Sequence, residues 1–337
     1  MTVCVRRLLI PLAMLASPAL AAPFTVEPGG KSYATLADAV LAIGDGDGAI
    51  RIAPGIYRDC AVQRAGRISY RAETPLTAIF DGGICEGKAV LVLRGRGASV
   101  DGLVFRNLTV PDGNAAGIRI EKGPLDVSRS IFRDSEQGIL GGGDKESDIR
   151  IDRATFTGLG RCDRGLGCAH SLYVGGYRSV TVRRSRFEKG RGGHYVKSRA
   201  ARIDVRDSSF DDSQGRATNY MIDLPSGAVG RIVRTVFVQG ADKENHSGFI
   251  VIAAEGRINA SAGLLISHNK AHQVRSADWP SAFVFDLSGS AKRIAGNQIG
   301  GRVEMMRAAE AGPPSFSTKI KSRLRYYAGR LRARLGK

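Results

Sequence analysis

The chain has 337 residues, with 50 Lys and Arg against 32 Asp and Glu and a formal net charge of +18. That length is ample for a large core, and no stretch beyond the N-terminus approaches the ~20 apolar residues of a membrane helix. The excess of positive charge points to a polyanionic partner, an acidic polysaccharide or an anionic membrane face; with no nucleic-acid motif and no interleaved aromatic and basic residues, nucleic acid is disfavoured.

Residues 1–22 read as a signal segment. Arg6 and Arg7 precede the apolar run Leu8 to Leu15, and Ala19-Leu20-Ala21 is a small-residue cleavage site. The mature chain is therefore expected to be secreted or periplasmic. Cys4 leaves with the signal, and the four remaining cysteines are an even number in an oxidising compartment. Cys162 and Cys168 bracket CDRGLGC and can clip a small loop, while Cys60 and Cys85 lie 25 residues apart. Two disulfides are expected. No CxxC pair suggests a metal site, and no cofactor is expected.

YATLADAVLAI places Leu36, Ala39, Val40 and Ile43 on one helical face. Beyond it, a β-rich unit recurs. LVFRNLTV carries Phe105, SIFRDS Phe132, ATFTGLG Phe156, SRFEKG Phe187, SSFDDS Phe210 and TVFVQG Phe237, at gaps of 27, 24, 31, 23 and 27. The longest gap contains the CDRGLGC loop. Short runs of Val, Ile, Leu and Phe bounded by Gly, Asn, Asp and Ser read as strands, and a period of this length indicates a solenoid of stacked coils. A β-sandwich offers no reason for the constant period.

The short helix followed by GDGDGAIRIAPGIYRD resembles the N-terminal cap of right-handed parallel β-helix proteins of the pectate-lyase-like superfamily, a resemblance spanning roughly residues 31 to 300. It implies an all-β, right-handed parallel β-helix over residues 23–301 with a short N-terminal capping helix. Residues 302–337 read as a linker and a basic C-terminal amphipathic helix. They hold 10 basic and 2 acidic residues, with Ile320, Leu324, Tyr327, Leu331 and Leu335 on one stripe. Such a helix suits an anionic membrane surface or polymer, or caps the last coil.

Stacking GILGG, SLYVGG, YVKSR, MIDLP and FIVIAA sends Ile139, Leu172, Val196, Ile222 and Val251 inward. Leu140, Tyr173, Lys197, Asp223 and Ile252 then face outward, and Tyr173, Lys197 and Asp223 are expected as an exposed row with Arg199 beside them. Arg119 and Glu121 share that face on earlier coils. His170, His194, Tyr220 and Phe249 fall at the corner entering the strand. They form an aromatic ladder there, or one histidine leans into the groove.

A phenol, an amine, a guanidinium and a carboxylate on one face suit β-elimination in a uronate polymer. Arg199 neutralises the carboxylate. Lys197, its pKa lowered by Arg199, takes the proton, and Tyr173 or His194 protonates the leaving oxygen. Asp223 orients Lys197 but also raises its pKa, which leaves Tyr173 or His194 as the alternative base. His170, Arg119, Glu121 and Glu255 are candidates for contacting substrate. VKSRA is similar to the lysine-serine segment of β-helix lyases acting on alginate or chondroitin-type chains, and only Lys197 and Ser198 carry over. The arginine-histidine pair, the calcium-binding aspartates and the stacked aspartates of related enzymes are missing. A glycoside hydrolase using Asp223 with Glu255, Asp286 or Glu121 is the alternative, as is a C5-epimerase. A non-catalytic binding or surface scaffold is a third reading, weakened by a single tryptophan, Trp279.

Overall fold

The computed structural model describes residues 22–309. Apart from residue 22, the expected signal segment lies outside the described residues, and so does the expected basic C-terminal helix. The chain folds as a parallel β-solenoid with one helix among the described residues. That helix, Leu36–Ile43, is capped by Thr35, whose hydroxyl accepts the Asp38 amide at 3.1 Å. Leu36, Ala39 and Val40 are buried, so the helix seals the end of the first coil as its periodicity predicts. The strands Phe24–Glu27 and Lys31–Tyr33 pair antiparallel beside it, and the paired strands that follow run parallel.

Three sheets of 12, 10 and 10 strands form the faces of the solenoid. Each successive coil adds one strand to each sheet, so strand pairing is to the coil above and the coil below. The second sheet carries the predicted phenylalanines in register: Phe105, Phe132, Phe156, Phe187, Phe210 and Phe237. Their rings stack at centroid distances of 4.6 to 5.0 Å, and Tyr57 and Phe80 extend the ladder toward the N-terminus. Identical side chains at identical coil positions stack through the interior. Each buried ring contributes roughly 1.5–3 kcal/mol by desolvation and a further ~0.5–1.5 kcal/mol by stacking.

The bend between the first and second sheets repeats a second device. Arg129, Arg184 and Arg234 take left-handed backbone angles there, φ 47°, 46° and 50°. Each guanidinium reaches back one coil to a carboxylate: Arg129 to Asp101, Arg184 to Asp152 and Arg234 to Asp207. The residue after the bend turns inward and satisfies an amide of the preceding coil. Ser130, Ser185 and Ser208 accept from Leu103, Ala154 and Ser185, and Asn269 accepts from Thr235. Three arginines are thereby paired with carboxylates along this bend.

Cys60 pairs with Cys85 and Cys162 with Cys168. Two disulfides suggest an extracytoplasmic protein. The final strand is Val303–Ala308, parallel to Ser281–Asp286, so the solenoid continues past residue 301.

Candidate functional site

The third sheet holds the candidate residues. Leu172–Val174, Val196–Ser198 and Ile222–Leu224 are successive three-residue strands whose first and last side chains point into the core. Their middle residues, Tyr173, Lys197 and Asp223, are paired in register. Two coils before Tyr173, Arg119 occupies the same column, with Leu140 between them. The next coil departs from the expected phase. Ile250 stacks on Ile222, Val251 on Asp223 and Ile252 on Leu224. The intervening loop is one residue shorter than the alternation assumed, so Val251 caps the row and Ile252 points inward. The same slip places Phe249 in the core beside Phe283, with Gly248 at the corner position that follows Tyr220.

Lys197 and Asp223 are buried, at 9% and 2% exposure, and not the exposed row that alternation predicts. The Lys197 ammonium donates to Asp223 Oδ2 at 3.1 Å and to Glu255 Oε1 at 2.7 Å. Arg199 donates from Nε to the Tyr173 hydroxyl at 3.0 Å and from its other arm to Glu255 Oε2. Its remaining nitrogen reaches Ser226 Oγ at 3.4 Å. One carboxylate, that of Glu255, thus spans both cations. Glu255 comes from 58 residues beyond Lys197; no local spacing in the sequence announces the pairing, nor the contact of Ser226.

The histidines stack at the corner of the coil, and one of them also lies against the site. His170 and His194 stack at 5.0 Å, and His194 and Tyr220 at 5.3 Å. His170 Nδ1 accepts the His194 amide at 3.0 Å, and His194 Nδ1 accepts the Tyr220 amide at 3.2 Å. An Nδ1 that accepts leaves the proton of a neutral ring on Nε2. His194 Nε2 lies 3.3 Å from Asp223 Oδ2, so His194 is a rung of the corner ladder that also borders the site. Asp223 Oδ2 thus has both Lys197 and His194 close by, while its buried Oδ1 has no protein partner.

Burial dominates the electrostatics. It pushes the Asp223 carboxyl up to about 6 against the pull of Lys197. It also holds His170 down at about 3 and His194 well below its ordinary range, with neighbouring positive charge adding to the effect. At Lys197 burial acts downward, but Asp223 and Glu255 outweigh it and the pKa is raised. The expected lowering by Arg199 is overturned, because two carboxylates contact the amine directly. Glu255 is lowered: burial acts upward, and hydrogen bonds from Lys197 and Arg199 overcome it.

The other candidates fall elsewhere. Glu121 bonds Lys88 at 2.9 Å and Arg94 at 2.6 Å, and Arg119 lies 3.8 Å from it. Between this cluster and Arg199 the surface is floored by Gly141–Gly143 and Gly175–Gly176. A Cβ on Gly175 would fall on the Gly142 carbonyl, so the coils approach too closely there for any side chain. Asp286 is buried against Lys292 at 3.1 Å and is no partner for Asp223. The CDRGLGC loop packs on the histidine corner, where Cys162 Sγ lies 3.2 Å from the Gly193 amide.

No protein-family model matches the chain, and no curated sequence matches it significantly. Among solved structures, an alginate lyase from Paenibacillus sp. str. FPU-7 superposes with a TM-score of 0.57 at 15% identity, over 80% of this chain and 96% of that one. The Streptococcus pneumoniae surface protein and adhesin PfbA gives 0.39 at 11% identity, over 81% and 94%. A PL6 family alginate lyase gives 0.34 at 14%, over 78% and 50%. At these identities the likeness is one of fold.

Proposed function

We propose that the protein is an extracytoplasmic lyase that cleaves a uronate-containing polysaccharide by β-elimination. The observation that carries this reading is the Glu255 carboxylate held jointly by Lys197 and Arg199. The two cations form a fork of the size and charge that a uronate carboxylate requires. The solenoid fold shared with an alginate lyase supports the same substrate class.

Elimination breaks C5–H and C4–O and forms a C4–C5 double bond. The carboxylate on C5 must be neutralised for the proton to leave. In this site Lys197 and Arg199 together perform that task, since the raised pKa of Lys197 keeps it an ammonium. The base role passes to Tyr173, the alternative named from sequence. Arg199 donates to the Tyr173 oxygen and so holds it in place to receive the C5 proton in its phenolate form. The leaving oxygen takes its proton from the Tyr173 hydroxyl that the C5 proton has just re-formed, while the buried Asp223 holds Lys197 in place from below.

One observation favours a second reading. Asp223 and Glu255 both contact one ammonium and have pKa values displaced in opposite directions. An acid and a base on either side of a glycosidic bond have that character. Incubation with a panel of polyuronates separates the two. A rise in the ultraviolet absorbance of unsaturated uronate, abolished at least ~100-fold in a folded Tyr173→Phe or Lys197→Ala variant, is the expected result. New reducing ends without that absorbance would move the assignment to hydrolysis by Asp223 and Glu255. No product across the panel would leave a binding protein or an epimerase, and proton exchange at C5 would distinguish those.

A further inference from the structure

The contact that identifies the carboxylate fork also blocks it. Lys197 Nζ and Arg199 are the outward cations of the site, and Glu255 occupies both. Its backbone is anchored, with the amide donating to Pro225 O at 2.9 Å. Its side chain is 46% exposed, so the carboxylate can rotate into water without disturbing the coil. The cations are less free: their side chains are 11% and 28% exposed. Without Glu255, Arg199 would have no carboxylate and Lys197 only Asp223; in a partly buried site that loss is costly, so Glu255 departs only when another anion takes its place.

From this we infer that Glu255 is a specificity-determining residue: it holds the Lys197–Arg199 fork until a ligand carboxylate displaces it, admitting free uronates and rejecting neutral or esterified rings. The inference rests on the uronate reading above. A ring with a free carboxylate exchanges one anion for another. A neutral ring offers nothing to replace the charge it would expel, a form of discrimination by penalty and not by attraction. The exchange also conserves charge at the fork, so binding a single uronate there is only weakly sensitive to salt. Removing Glu255 converts the exchange into a net attraction, which salt screens.

Calorimetric titration tests this on the full mature chain, with Tyr173→Phe as the common background to suppress turnover. The ligands are tetramers of mannuronate, guluronate and galacturonate and their methyl esters, each at low and high salt. Glu255→Gln is expected to bind the matching free tetramer about tenfold or more tightly than the background protein at low salt, and to lose most of that gain at high salt. Glu255→Asp keeps the charge but is too short to span both cations, and falls between them. Methyl esters bind weakly to the background protein. Equal or weaker binding of the free tetramer by a folded Glu255→Gln overturns the inference while leaving the uronate reading intact, since Glu255 would then support the site or touch the ligand. Binding of free and esterified tetramers alike by the background protein overturns it too. Absence of binding by every variant, Glu255→Gln included, defeats the uronate reading itself.

Discussion

The site depends on charged groups whose protonation is set by burial, and this makes the acid stability of the protein predictable in sign. His170, held at about 3 against an ordinary 6.5, binds a proton only in the unfolded chain between those values. The unfolded state gains the proton, so this histidine contributes stability above 6.5 that is lost as the pH falls. His194 acts in the same sense. Asp223 acts in the opposite sense: raised from 3.8 to about 6, it binds its proton in the folded chain first. Its contribution is fully present below 3.8 and is lost as the pH rises through about 6. Each group changes the slope by up to ~1.4 kcal/mol per pH unit within its window. Denaturant midpoints measured from pH 7 down to pH 4 should therefore fall less steeply in His170→Asn, which keeps an acceptor for the His194 amide. They should fall more steeply in Asp223→Asn. Parallel curves for all three proteins would contradict the assigned protonation states.

At the scale of the strand and coil, stability comes from repetition. Phe156 is fully buried, with Phe132 at 4.9 Å and Phe187 at 4.6 Å on its two sides. Truncation there removes two stacking contacts and leaves a cavity that the stiff coils on either side cannot close. Phe156→Ala is expected to cost ~3–5 kcal/mol, read as a lowered denaturant midpoint. Phe156→Leu should recover part of that loss, because it refills volume without restoring the ring. The strand Gly248–Ile252 shows the limit of reasoning at this scale. All five of its residues are buried, so alternation of polar and apolar residues gives no phase, and the phase is decided by how the preceding loop closes onto Tyr220. Asn245 and Ser247 each bond the Tyr220 hydroxyl, at 2.7 and 3.2 Å, and these contacts set where the strand begins.

For the whole molecule, the solenoid makes stability largely local, since each strand pairs only with those of the adjacent coils. The ends are then the weak points. The capping helix protects one of them, and the Cys60–Cys85 bridge ties the early coils together across a separation of 25 residues. Replacing both cysteines with serine should lower stability by roughly 3–4 kcal/mol through loop entropy, seen as earlier proteolysis near the N-terminal coils. Cleavage that begins elsewhere would place the weak point in another coil. Bends such as Arg184–Asp152 and Arg234–Asp207 pair their arginines within the wall; the formal charge of +18 already nets these pairs to zero, so the excess offered to a partner lies in other cations.

The amino-acid sequence by itself determined the stacked-coil fold, the phenylalanine ladder, the capping helix and the neighbourhood of Tyr173, Lys197 and Asp223. Each of these follows from a short-range rule: helical spacing, strand alternation or a recurring period. Only the tertiary structure decided that Glu255 spans Lys197 and Arg199, that Lys197 keeps its proton, that His194 lies against Asp223, and that Phe249 turns inward. Those outcomes depend on distances across two coils and on exclusion of water. Burial shifts a pKa and a loop shifts a register only after the chain has closed around them, and neither quantity is carried by the order of residues along one strand.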